Sequence, residues 1–283
     1  MTRRVRLLEL TLGVEGLALM RSLFEDDPAT VDARLADIAR FVQDADEPPL
    51  SLALDLPERS VTEGYAEWAE TYDAMPNGLI EVEQRVIGDL LADIPPGRAL
   101  DAACGTGRLA RLLVAAGHDT TGADCTPEML DVARRALPDA TFRLAQLDDL
   151  PFDDESFDVV TCGLALGHLP TLDAVVPELA RVTRIGGRLL FSDMHPMGIV
   201  FGGQASYQGS GGTWGFVRNH FHLHSHYLDA FAPAGLRVRG CIEAPQTEDT
   251  VKGVPSFLVA PEATRQALLG LPLALVWDLE RTG

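Results

Sequence analysis

The chain has 283 residues, 46% of them hydrophobic and 23% charged, the profile of a globular protein large enough for one α/β domain with an appendage. Its formal net charge of −19 repels phosphodiester backbones and anionic lipid, which argues against nucleic acid and membrane surfaces as partners. The four cysteines, Cys104, Cys125, Cys162 and Cys241, show no paired CxxC spacing and read as reduced thiols of a cytoplasmic protein.

The opening stretch MTRRVRLLELTLGVEGLALM has the basic start and apolar run of a signal peptide. Glu9 and Glu15 interrupt that run and no small-residue cleavage site follows, so an amphipathic helix is expected. No apolar run approaches the roughly 20 residues of a membrane helix. DPATVDARLADIARFVQ carries a helix-start signal at Asp27-Pro28 and apolar residues Val31, Leu35, Ile38 and Val42 at helical spacing. DADEPPLSLALDLPERS breaks the pattern with prolines and acids and reads as a linker. Residues 1–58 are thus expected to form a helical appendage. Its apolar stripes need a covering surface, either the core domain or a second copy in a homodimer. Ser60 with Glu63 is a capping box that opens the next helix, and another helix is expected over 80–93.

From Arg98 the pattern alternates. RALDAAC, DTTGAD, ATFRLA, FDVVTC, GRLLFSD, LRVRGCIEA and VPSFLVA read as strands; GRLARLLVAAG, TPEMLDVARRAL, LDAVVPELARVT, LDAFAPAG and PEATRQALLG read as helices. This rhythm predicts an α/β fold over 59–283: a Rossmann-like, doubly wound, mostly parallel sheet of about seven strands, covered on both faces. Ligands of such sheets bind beyond the carboxyl ends of the strands.

LDAACGTGRLA places Gly105 and Gly107 between a strand and a helix, where backbone can approach a ligand and helix N–H groups are free. The spacing also satisfies a loose dinucleotide fingerprint. Asp101, four residues before the first glycine, disfavours a pyrophosphate and suits a cationic group; Asp124, ending the second strand, suits ribose hydroxyls. With LDAACGTG, GADCTPEMLDVAR, LDDLPFDDESFDVVTC and ARVTRIGGRLLFSD in this order, the chain resembles the class I S-adenosylmethionine-dependent methyltransferases, over about residues 61–260.

The resemblance implies S-adenosylmethionine as cofactor and a small-molecule acceptor. It places Asp101 and the backbone of Ala103, Cys104, Gly105 and Gly107 at the methionine moiety, Asp124 at the ribose, and Cys125 and Met129 against adenine. Gln146, followed by Leu147, stands where the family often has an acid for the adenine amino group. Cys162, at the end of the fourth strand, joins this set. Tyr65 and Tyr72, in EGYAEWAETYD, are implied as contacts from the helix lying over the cofactor; core packing is the alternative for both. The sequence also resembles natural-product O-methyltransferases. That likeness implies His168, just past the fourth strand, as general base, Asp193 at the end of the fifth strand as its orienting partner or a substrate contact, and His195 as a further candidate. The implied reaction is methyl transfer to a hydroxyl, less readily to an amine or carbon, of a ring-containing molecule. A non-methylating reaction such as cyclisation, a binding module without turnover, and a nicotinamide oxidoreductase are the alternatives.

Residues 195–225 are expected to roof the acceptor side, with GGQASYQGSGG as a mobile loop and TWGFVRNHFHLH as a strand. A cap at Ser225 would put His226 in a following helix and leave His220, His222 and His224 on one strand face. Residues two apart on a strand lie about 7 Å apart, so these three are expected to line or wet a pocket and not to hold a metal.

Overall fold

The computed structural model describes residues 1–24 and 28–283. Asp27 of the expected helix start lies outside the described residues; the helix runs Pro28–Gln43. The chain forms two compact units. The larger takes 59–75, 79–244 and 272–283; the smaller takes 1–58, 76–78 and 245–271.

The larger unit is built on a seven-stranded sheet. Its strands are Arg98–Ala102 (β1), Asp119–Asp124 (β2), Thr141–Leu144 (β3), Phe157–Gly163 (β4), Thr183–Met194 (β5), Leu236–Pro245 (β6) and Pro272–Arg281 (β7). They lie in the order 3-2-1-4-5-7-6. β1 to β5 pair in parallel and β7 runs antiparallel to β5. Adjacent residues of the central strands serve opposite faces, as strand periodicity requires. Leu100, Val160, Leu189 and Leu275 join one core cluster, while Ala99, Val159, Leu190 and Val276 join another. Strands buried on both faces carry adjacent apolar residues: Ala99-Leu100 in β1, Val159-Val160 in β4 and Leu189-Leu190-Phe191 in β5 are all fully buried.

The longer helices of this unit are Val61–Trp68 (α1), Gly78–Ala92 (α2, all but its first residue), Arg108–Ala115 (α3), Pro127–Ala136 (α4), Val175–Val182 (α5) and His224–Phe231 (α6). Ile87 and Leu91 of α2 pack with Leu109 and Leu113 of α3 on one sheet face. Val176 and Leu179 of α5 pack with Tyr227 and Phe231 of α6 on the other. Helices on both faces give the doubly wound architecture expected. β1 has β2 on one side and β4 on the other, so the strand order reverses at β1 and opens a crevice at its carboxyl end.

The structure corrects several expectations. VPSFLVA is not a strand: Pro255 starts a 3₁₀ turn over Pro255–Leu258, within the smaller unit. The seventh strand is β7, whose run PLALVWDLER was not read as an element. GGQASYQGSGG is not a loop throughout: Ala205–Gln208 pairs antiparallel with Trp214–Val217, making a hairpin. That second strand ends at Val217, so the histidines beyond it do not share a strand face. α6 starts at His224 with Leu223 as its N-cap, which puts both His224 and His226 inside the helix and removes the cap assigned to Ser225.

The smaller unit is not a purely helical appendage ending at residue 58. Thr2–Arg6 pairs antiparallel with Ala53–Arg59, the stretch read as linker. Residues 245–271 complete the unit. Leu8, Val14 and Ala18 of the helix Leu7–Ser22 share a core with Phe41, Leu50, Ala263, Ala267 and Leu268. That first helix also buries Thr11, Glu15 and Ser22. Burial pushes the Glu15 carboxyl above its usual range, against the pull of Arg34, 3.4 Å away. Among the described residues no helix is long and apolar enough to cross a membrane.

Candidate active site

A cavity of about 1100 Å³, counting its open mouth, lies at the carboxyl ends of β1, β2 and β4. The loop from Ala103 to Gly107 forms part of its wall. Ala103, Gly105 and Gly107 all have left-handed backbone, with φ of 56°, 53° and 84°. At Gly107 a β-carbon would meet Ala133 and Leu137 at 3.4 Å, an ordinary contact, so it is the left-handed backbone that asks for glycine there. The Gly105 N–H donates to Asp124 Oδ2 at 2.8 Å, and the Thr126 N–H donates to Asp124 Oδ1 at 2.8 Å. These bonds fix the carboxylate at the end of β2 and leave each oxygen a further acceptor site.

The wall includes Tyr65, Tyr72, Ala103, Cys104, Gly105, Asp124, Cys125, Gln146, Leu147 and His168 among the residues singled out in the sequence. Asp101, Gly107, Met129 and Cys162 are not on it. Asp101 is buried beneath, where its two oxygens accept from the Ala110 N–H and the Thr161 hydroxyl, each at 2.8 Å. Burial raises its pKa to about 7. It joins the start of α3 to β4 and does not line the cavity. Asp193 and His195 also lie off the wall. Asp193 accepts the Gly167 N–H at 2.9 Å and the Tyr227 hydroxyl at 2.6 Å; burial raises its pKa to about 7. Residues 195–225 contribute no side chain to the wall. The hairpin beyond β5 packs instead on α1: Tyr207 stacks on Trp68 and donates to Glu67 at 2.7 Å.

His168, 8% exposed, sits on the 3₁₀ turn Leu166–His168 that follows β4. Its Nδ1 is 2.9 Å from the Arg218 carbonyl oxygen. A carbonyl only accepts, so Nδ1 carries the proton and Nε2 presents its lone pair. The Tyr65 hydroxyl meets Nε2 at 2.7 Å. Burial lowers the His168 pKa, with the Arg218 bond opposing it, and this keeps the ring neutral near pH 7.

Arg108 was not singled out by sequence. It is the first residue of α3, is buried, lines the cavity, and pairs with Glu83 of α2 through its two terminal guanidinium nitrogens, Nη1 and Nη2. Burial opposes its charge, but Glu83 overcomes this and holds its pKa above the usual range. Glu83 also accepts from Ser192 of β5. A cation directly after GTG, set against an acidic α2, was the legible sign. Val61, Thr62, Thr106 and Asp148 are further wall residues.

A doubly wound sheet with its cavity at the strand-order reversal, an acid at the end of β2 and a glycine turn after β1 defines a nucleotide-cofactor-binding domain. Residues 100–191 match the family model described as a methyltransferase domain. Malonyl-[acyl-carrier protein] O-methyltransferase of Serratia marcescens is 33% identical over 137 residues, 48% of this chain and 53% of that protein. Demethylmenaquinone methyltransferase of Renibacterium salmoninarum is 34% identical over 127 residues, 44% of this chain and 54% of that one. The chain thus spans about half the length of the curated relatives it matches. The Haloferax volcanii protein solved in complex with the Trm112 methyltransferase activator superposes with a TM-score of 0.58 at 22% identity, over 80% of this chain and 99% of that one, a likeness of fold. Over residues 100–191 the chain is thus similar to methyltransferase domains.

Proposed function

We propose that the protein transfers the methyl group of S-adenosylmethionine to a hydroxyl of a small, ring-containing molecule, with His168 as general base. The observation carrying this reading is the neutral His168 Nε2 at the cavity wall, its tautomer fixed by the Arg218 carbonyl. The donor set fits the cofactor. Asp124 keeps acceptor sites for ribose hydroxyls. Gln146 offers an amide to the adenine edge, and Val61, Cys125, Leu147 and Leu150 supply apolar wall for its ring. Arg108 offers a guanidinium to the methionine carboxylate, and Tyr72 lies beside it on the same wall. Bound S-adenosylmethionine supplies an electrophilic methyl on a sulfonium.

The chain's own residues then align and deprotonate the acceptor. Alignment in a closed site supplies much of the rate, and His168 takes the hydroxyl proton as the oxygen attacks. Tyr65 holds the Nε2 position. An acceptor hydroxyl either displaces Tyr65 or passes its proton through the tyrosine oxygen to His168. The free thiols, with Cys104 on the wall, suit work in a reducing cytoplasm.

The test is S-adenosylhomocysteine formation over a panel of phenolic and alicyclic alcohols, with cofactor affinity measured separately. His168→Ala lowers kcat by about 10²–10⁴-fold with cofactor affinity kept. Tyr65→Phe matches that loss if Tyr65 relays the proton and spares kcat if Tyr65 is displaced. Binding of NAD without binding of S-adenosylmethionine, or full activity in His168→Ala, overturns the reading.

A further inference from the structure

Away from the cavity wall, three elements of the larger unit bring a second set of functional groups together: His195 directly after β5, Glu243 on β6, and His224 at the start of α6. One donor atom from each lies within 4.8 Å of the others. His195 Nε2 is 3.1 Å and His224 Nε2 is 3.0 Å from the same oxygen, Glu243 Oε1. The two rings sit with centroids 5.5 Å apart, tilted by 59°. We propose that His195, His224 and Glu243 bind one divalent transition-metal ion, of which zinc is the representative.

The spacing suits such an ion. Zinc bonds to imidazole and carboxylate of about 2.0–2.2 Å in a tetrahedron place neighbouring donors about 3.3–3.6 Å apart. Both contacts to Glu243 are close to that edge length, and a small opening of the cluster seats the ion. Two imidazoles and a carboxylate select the zinc, iron, nickel and copper class over magnesium or calcium, which prefer all-oxygen shells. The His224 contact is close but not oriented as a hydrogen bond: His224 Nε2 is a buried nitrogen with no hydrogen-bond partner. A metal would use it. His195 is 5% exposed at its side chain and its ring is held by the Met197 N–H, which donates to Nδ1 at 3.2 Å. Coordination through Nε2 moves the ring proton to Nδ1 and gives up that long hydrogen bond, a small loss beside a metal–imidazole bond. Glu243 is half exposed at its side chain, so the remaining coordination positions face water or an added ligand. Such three-ligand sites keep an open position.

The sequence concealed this site. His224 was read in a row with His220 and His222, yet its partners are 29 and 19 residues away along the chain.

The test uses the full chain without a histidine tag, stripped with chelator and titrated with zinc chloride by calorimetry. Cobalt(II) then reports the geometry through its visible absorption. Cys241→Ser is the background, because this exposed thiol lies two residues from Glu243 on the same strand. One equivalent binds in that background. His224→Ala and Glu243→Gln each weaken it by at least about 10–100-fold, the cost of losing even an outer-shell partner, while metal-free melting curves stay superimposable. The His224 side chain is 36% exposed and that of Glu243 50%, and either variant carries the test if the other does not fold. Absence of stoichiometric binding, binding lost already in Cys241→Ser, or affinity unchanged in both variants overturns the site. None of these outcomes depends on methyl transfer.

Discussion

His168 and Asp193 lie near one another on either side of the turn after β4, and their surroundings divide their roles. His168 has one nitrogen spent on a carbonyl and the other aimed at the cavity wall. Asp193 has both oxygens spent on Gly167 and Tyr227, which makes it a brace for the turn and not a group free to meet substrate. Its pH behaviour follows from burial. Its folded pKa of about 7 stands above the unfolded value of 3.8, so between these limits the folded state holds a proton that the unfolded chain has released. The stabilising contribution is therefore full below the unfolded pKa and falls as pH rises toward 7, by up to about 1.4 kcal/mol per unit. Asp193→Asn keeps an acceptor for Gly167 and cannot ionise. Urea titrations of both proteins from pH 4 to 8 should show the variant gaining on the wild type as pH rises to 7, then holding level. A difference independent of pH would show that Asp193 is ionised throughout.

The elements that sequence made legible are those whose signals are local. Ser60 and Glu63 do form a reciprocal cap, Glu63 N–H to Ser60 Oγ at 3.4 Å and Ser60 N–H to Glu63 Oε2 at 3.2 Å. β1, β4 and β5 show short apolar runs, while β2, DTTGAD, shows only by its place between two helical patterns. What escaped was set by tertiary contact. In the segment after Val217, His220 N–H donates to Gly167 O at 2.6 Å and His222 Nε2–H donates to Leu169 O at 2.8 Å. With the Arg218 carbonyl on His168, these bonds tie 218–222 to the turn at 166–169 and override the alternation that reads as strand. The acids misled in the same way: Asp124 reaches the cavity, while Asp101 is claimed by α3 and β4. Arg108 and Glu83 escaped because the cation after GTG and the acids of α2 are each visible alone, and only the fold pairs them. Gly163 shows how closely these elements meet. A β-carbon there would stand 2.5 Å from Leu109, 2.8 Å from Glu83 Oε1 and 2.9 Å from Arg108 Nη2. Gly163→Ala is expected to destabilise by about 1–3 kcal/mol, the usual cost of overpacking, and to weaken cofactor affinity by shifting Arg108. Urea midpoints and cofactor titration check both effects; an unchanged affinity would separate Arg108 from the cofactor.

At the scale of the molecule, the smaller unit is assembled from segments far apart in sequence, and this decides what truncation does. The helix Pro261–Leu268 turns Ala263, Ala267 and Leu268 toward Leu8, Val14 and Ala18 of the helix Leu7–Ser22. Arg21 adds a hydrogen bond to the Ala267 carbonyl at 2.8 Å. Removing residues 1–58 takes away one side of that core and leaves the other attached through β6 and β7. Burial of each large aliphatic side chain is worth about 1.5–3 kcal/mol, so the stranded segment 245–271 cannot hold its form alone. Its exposed apolar face would promote association. The expected result for a 59–283 fragment is raised binding of a hydrophobic dye and loss of monodispersity, with early proteolysis inside 245–271 and slower attack on the seven-stranded sheet. Deleting 245–271 as well, by joining β6 to β7 with a short polar loop, should restore a monodisperse product if the larger unit folds by itself. A 59–283 fragment that stays monodisperse and resists proteolysis across 245–271 would show that the core shared by the two terminal helices contributes little to the fold of that segment.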